Sequence, residues 1–156
     1  NASLGGSSYL KTIHERIEGP LSTFDMELEL NVQKTCLEAI DSGIINSAHD
    51  LSDGGLSVSI AESVISSVDT LGAYINIESK LSDVELLFGE CESVIFVTIK
   101  EEDLLKLINI SKNNNVRTET IGRVTNDSKL VINDLININK TKLHNIFNTS
   151  LENIMK

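Results

Sequence analysis

Positive charge is scarce in this sequence. Thirteen Lys and Arg, of which only Arg16, Arg117 and Arg123 are arginines, stand against 23 Asp and Glu, for a formal net charge of -10. Neutralising a phosphate backbone or an anionic lipid surface takes clustered basic side chains, so nucleic acid and membrane are excluded as main partners. No apolar run approaches the ~18 residues of a transmembrane helix, and the first residues lack the charged-then-apolar layout of a signal peptide. A cytoplasmic location is the resulting expectation. Cysteine is nearly absent as well: Cys36 and Cys91 form neither a CxxC nor a zinc-ligand spacing and read as buried thiols in a reducing compartment.

What is present is one domain's worth of chain. A 156-residue sequence can bury roughly 68–70% of the surface its unfolded form exposes, without disulfide or metal support. Asn1 and Ala2 read as a vector scar on a piece of a larger protein, and residues 1–24, with Gly5, Gly6, Gly19 and Pro20, as an irregular lead-in. Residues 25–156 form the expected single α/β domain. Met26, Leu30, Leu37 and Ile40 recur at helical spacing with Glu27, Glu29, Lys34, Glu38 and Asp41 opposite and Gly43 as C-terminal cap, which predicts an amphipathic helix with the apolar set inward.

Farther along, Ala73, Ile75 and Ile77 alternate with Tyr74, Asn76 and Glu78, predicting a strand with one wet face. The run Val94 to Ile99 fits a central strand covered on both faces. Glu101 to Asp103 open a helix carrying Leu104, Leu105, Leu107 and Ile108, closed by Asn113 to Asn115. Strands at 116–124 and 130–132 flank Thr125 to Ser128, a hairpin signal, and a last helix places Leu143, Ile146, Phe147 and Ile154 on one side. Alternating helices and strands with one hairpin predict a mixed sheet with helices packed on it.

The chain is organised around residues 46–61. Ile44 and Ile45 run into a polar centre, and Leu56, Ile60, Val64 and Val68 leave it as a helical ladder, so the centre is a strand-to-helix turn. Gly54 and Gly55 have no side chain to shield the free amides of the first helical turn, so an anionic oxygen could approach. Asp50 and Asp53 would repel a bare phosphate unless a divalent cation bridged them or Asp53 served as N-cap. Paired glycines equally suit a tight turn or close helix packing, and both readings stand at this point. Ser47, His49 and Asp50 are too close along one strand to converge as a triad, and the Asp50 loop lacks the ligand pattern of a calcium loop. Gly89-Glu90 before the apolar run could place a carboxylate at the same rim.

These residues carry a family resemblance. Ser47-Ala48-His49-Asp50-Leu51-Ser52-Asp53-Gly54-Gly55-Leu56, followed by Ala61-Glu62, resembles the hallmark of the last domain of the phosphoribosylformylglycinamidine synthases, in the small synthetase-subunit form. Leu4 to Leu10, Leu87-Phe88-Gly89-Glu90 and Ile121-Gly122-Arg123-Val124 are similar to further segments in the same order. The resemblance implies the carboxy-terminal domain of the aminoimidazole ribonucleotide synthetase-like fold. The whole enzyme would be an ATP- and Mg2+-dependent carbon–nitrogen ligase of purine biosynthesis, turning formylglycinamide ribonucleotide into the amidine with ammonia from a partner glutaminase subunit.

A small accessory subunit and the preceding domains of the same polypeptide are the other implied partners. The resemblance implies that no catalytic residue falls on this stretch. His49, Asp50, Ser52, Asp53, Gly54, Gly55, Gly89 and Glu90 are expected to line an auxiliary nucleotide or phosphate cleft or to hold a domain interface, with Asp50 the candidate metal ligand, and the piece alone is expected to be inactive. A module that binds nothing, or part of a same-fold small-molecule kinase, are the alternatives.

Overall fold

The computed structural model describes residues 2–68 and 70–155, the side chains of residues 151–154 excepted. In chain order the elements are α1 (Ser8–His14), α2 (Met26–Asp41), β1 (Ile45–Asp50), α3 (Gly55–Ser66), β2 (Gly72–Ile75), α4 (Asp83–Phe88), β3 (Ile95–Ile99), α5 (Leu104–Asn113), β4 (Gly122–Thr125), β5 (Lys129–Ile132), β6 (Ile136–Asn139) and α6 (Lys140–Ile154), with a 3-10 turn at Glu101–Asp103. The expected mixed α/β class is what the chain adopts. Its described residues form two compact units, one comprising the chain up to Ser59 with Leu81–Thr120, the other Ile60–Lys80 with the residues from Ile121 onward.

In the first unit β1 and β3 pair antiparallel, Ala48 opposite Val97 and Asp50 opposite Ile95. Helix α2 begins where Asp25 accepts the amides of Glu27 and Leu28 at 3.0 and 3.1 Å, satisfying two of its otherwise unpaired donors. Its inward face is Val32, Thr35 and Ala39, the reverse of the expectation. Met26, Leu30, Leu37 and Ile40 are instead 61, 57, 61 and 47% exposed. The small residues win because they let the helix approach closely: Ala39, Ile44 and Leu107 form a core to which Val97, Ile99 and Ile110 add. The larger side chains would hold the helix off.

Strand β3 also departs from expectation. It pairs with β1 alone among the described strands, and all five of its residues are only partly buried. The lead-in is not irregular throughout, since Ser7 caps helix α1 by accepting the Leu10 amide, at 3.3 Å. Gly5 and Gly6 masked that start in the sequence.

The second unit is a four-stranded sheet in the order β4-β2-β5-β6. Strand β2 runs parallel to β5 and antiparallel to β4. The hairpin expected at Thr125 to Ser128 is therefore not a pairing: the chain reverses there, and β2 fits between the two strands. The true hairpin joins β5 to β6, Ile132 opposite Ile136. Asn133, at φ 46°, extends the β2–β5 pairing by accepting the Ile77 amide and donating to its carbonyl. Alternation along β2 is as expected, with Ile75 buried and Tyr74 exposed.

Leu56, Ile60 and Val64 of the ladder are buried, and Val68, past the end of α3, is 67% exposed. Ile146 and Phe147 of α6 are exposed, and the side chain of Ile154 lies outside the described residues. Lys140, 6% exposed, donates from Nζ to the Ser67 and Val68 carbonyls at 2.7 and 2.8 Å and to the Ser67 hydroxyl at 3.0 Å. A buried ammonium thus meets carbonyls at the negative end of α3.

Candidate functional site

Three segments of the first unit meet at the glycine turn. Gly54 and Gly55 have φ of +85° and +69°, a region open to glycine at little cost. A Cβ on Gly55 would lie 2.7 Å from the Gly89 carbonyl oxygen and 2.8 Å from the Phe88 carbonyl carbon. A Cβ on Gly89 would lie 2.4 Å from the Glu85 carbonyl oxygen. Gly55 and Gly89 therefore serve close packing of backbone on backbone, whereas a Cβ on Gly54 would meet the Val58 side chain at 2.5 Å, and the Ser57 hydroxyl reinforces the junction by donating to the Leu87 carbonyl at 2.9 Å. Tyr9 of α1 stacks on Phe88 at 4.9 Å between ring centroids.

At the centre of this junction is Glu90. Its Oε1 accepts the Gly54 amide at 2.8 Å and the Ser8 amide at 2.9 Å, and its backbone exchanges two hydrogen bonds with Ser3. The amide expected to greet an outside anion is thus already bonded to a carboxylate of the chain. Asp53, the expected N-cap, is exposed in the turn, and the Gly55 amide donates to the Ser52 carbonyl at 3.1 Å. In this arrangement the Gly54 amide has its acceptor within the chain. A tethered carboxylate reaches such a donor without the entropic cost of capturing a free ligand.

The remaining candidates sit along β1 and just after it. Ser47 shares a 2.6 Å hydrogen bond with Thr98 across the strand pair, and His49 Nδ1 meets the Asp50 carbonyl, not a carboxylate, at 2.7 Å. That pattern offers no triad. Asp50 and Ser52 are exposed. Asp50 opens on a cleft of about 560 Å³ lined also by Phe24, Glu29, Val32, Glu92 and Ser93. Glu29 accepts the Ser93 hydroxyl at 2.7 Å and the Gln33 amide at 2.6 Å, and the Ser93 bond foremost holds its carboxyl below the usual range. Glu92 accepts a short hydrogen bond from Ser22.

No group of three His, Cys, Asp or Glu among the described residues is placed to hold a metal ion. A magnesium ion at Asp50 would need phosphate and water oxygens for most of its shell. Cys36 and Cys91 are free and half-buried, and burial pushes both thiols up, away from the reactive thiolate form.

Sequence reasoning placed Gly54, Gly55, Gly89 and Glu90 near one rim, and the structure joins them. It missed Ser3, Ser8, Tyr9 and Ser57. The signal for Ser8 and Tyr9 lay in Ser7, a good N-cap residue directly ahead of them.

A mixed α/β domain whose signature strand, glycine turn and helix close on a Gly-Glu pair defines a family by its arrangement. The chain belongs to the AIR synthase related protein, C-terminal domain family, whose model matches residues 1–134. It is similar to the phosphoribosylformylglycinamidine synthase subunit PurL of Moorella thermoacetica, 35% identical over 153 positions covering 98% of this chain and 20% of that protein. PurL of Alkaliphilus metalliredigens is 33% identical, covering 99% of this chain and 21% of the relative.

The chain thus spans about a fifth of the length of the curated relatives it matches. Among solved structures, PurLQS from Thermotoga maritima superposes with a TM-score of 0.70 at 16% identity, over 92% of this chain and 25% of that one. The T. maritima PurL complexed with ATP gives 0.69 at 16% identity, over 91% and 24%. These likenesses show the fold. No described helix is long and apolar enough to cross a membrane.

Proposed function

We propose that this chain is a domain of a phosphoribosylformylglycinamidine synthase, the ligase that uses ATP and Mg2+ to replace the amide oxygen of formylglycinamide ribonucleotide with nitrogen. Ammonia would come from a glutaminase subunit, and a small accessory subunit and further domains of a longer polypeptide would complete the complex. The observation that carries this reading is the 33–35% identity to PurL subunits over essentially the whole chain. The signature Ser47 to Glu62, folded as strand, turn and helix, supports it.

Of the two roles expected for the signature, the interface is the better supported. Gly54, Gly55, Gly89 and Glu90 hold segments of the domain together, which leaves His49, Asp50, Ser52 and Asp53 as the rim that would meet a neighbouring domain or its magnesium-bound nucleotide. The apolar stripe Met26, Leu30, Leu37 and Ile40 on α2 supports the same reading, because a contiguous exposed apolar face marks an interaction surface. A domain built this way covers and positions, and holds no catalytic group of its own.

The test is a chimera. The matching fifth of the M. thermoacetica enzyme is replaced by this chain, and ATP- and ammonia-dependent amidine formation is measured. Activity within about tenfold of the parent is expected, a cost of about 1.4 kcal/mol in the barrier, while the isolated chain gives none. A stable chimera with no turnover would overturn the reading.

A further inference from the structure

Glu90 holds the Gly54 amide, and the same carboxylate oxygen reaches a second segment. We propose that Glu90 is a positioning residue, the resident anion of the glycine turn, whose one oxygen makes closure of the turn and docking of helix α1 a single event.

The geometry that carries this is specific. Ser8 is the first residue of α1 and Gly54 the last before α3, so neither amide belongs to the regular hydrogen-bond ladder of its helix. Both instead donate to Oε1 of Glu90, at 2.9 and 2.8 Å. A carbonyl-type oxygen has two lone pairs, and here both are used. Glu90 is fixed in turn by its backbone bonds to Ser3 on one side and by Gly89, packed against the Gly55 turn, on the other. Withdrawing the carboxylate would strip both donors at once and release the segment from Ser3 to His14. An outside anion competing for Gly54 would have the same effect on α1.

Amide hydrogen exchange reads this directly, since Ser8 and Gly54 owe their protection to one acceptor. The wild-type chain is compared with E90A, E90Q and E90D. Glutamine keeps the acceptor oxygen and its reach, so both amides stay within about tenfold of wild type, the loss reflecting the weaker neutral bond. Alanine removes the acceptor, and both lose protection together by about ten- to a hundredfold. Aspartate keeps the charge but is one methylene short, and it follows alanine.

Amides of β1 and β3, the paired strands of the same unit, report that its fold persists. Should E90A fail to fold, E90Q and E90D still separate acceptor reach from charge. The proposal is overturned if Ser8 and Gly54 are unprotected in wild type, or if any variant frees one and leaves the other protected. This readout uses the chain by itself, so it stands or falls separately from the chimera.

Discussion

Oε1 of Glu90 lies 2.8 Å from the amide nitrogen of Gly54, 36 positions earlier in the chain. That contact ties the glycine turn to the segment ahead of β3. The same two glycines fit both uses, since freedom from a Cβ admits a ligand or a neighbouring backbone equally well. What decides between them is a residue distant in sequence.

Gly55→Ala tests the joint. The new Cβ would sit at φ +69° and 2.7 Å from the Gly89 oxygen, a backbone contact that cannot rotate away. Left-handed strain of about 1–3 kcal/mol adds to overpacking of about 1–3 kcal/mol. Urea unfolding should show a loss of about 2 kcal/mol or more, and a variant as stable as wild type would show that the turn is looser than described.

Lys140→Met keeps the length of the side chain and removes its three donors. The Ser67 carbonyl at the end of α3 then loses the ammonium, and the Val68 carbonyl keeps the Leu71 amide, at 3.0 Å. A cost of about 1–3 kcal/mol is expected for the Ser67 acceptor stripped of the ammonium, read from the thermal midpoint. Lys140→Arg should restore part of it.

The inverted face of α2 makes a paired prediction. Leu37→Gln, at an exposed position, should change stability by no more than about 0.5 kcal/mol, whereas Ile44→Ala, in the buried core, should cost about 2–5 kcal/mol. Equal effects would mean that the apolar stripe is buried after all.

Acid should loosen α4 first at its start. The Ser82 hydroxyl, and then its amide, hold the Glu85 carboxyl below its ordinary value, through the reciprocal cap. A lowered carboxyl contributes its stability above the unfolded pKa and loses it as pH falls through the folded one. Fraying of Asp83 to Leu86, followed by amide shifts, is expected only below the usual carboxylate range, and Ser82→Ala should move its onset upward.

Much of the architecture was legible in the sequence, because period-2 alternation at Ala73 to Glu78 and the ladder from Leu56 to Val64 follow from one buried face each. The α2 face was misread because hydrophobicity ranks Leu37 above Ala39, while close packing ranks them the other way. The hairpin at Thr125 to Ser128 was misread because turn residues mark a reversal without naming the partner strand, and β2 comes from far upstream. The site was legible as a set of residues. Gly54, Gly55, Gly89 and Glu90 do converge, but nothing local shows that Glu90 is the anion the turn accepts.

If Glu90 seals the turn, nucleotide cannot reach it. The deciding measurement is a proton–nitrogen correlation spectrum of the isolated chain titrated with Mg-ATP. The Gly54 and Ser8 amide signals are predicted to stay in place to millimolar nucleotide. A saturable shift of the Gly54 amide, with Ser8 freed alongside or left behind, would show an open anion site and contradict the closed joint described above.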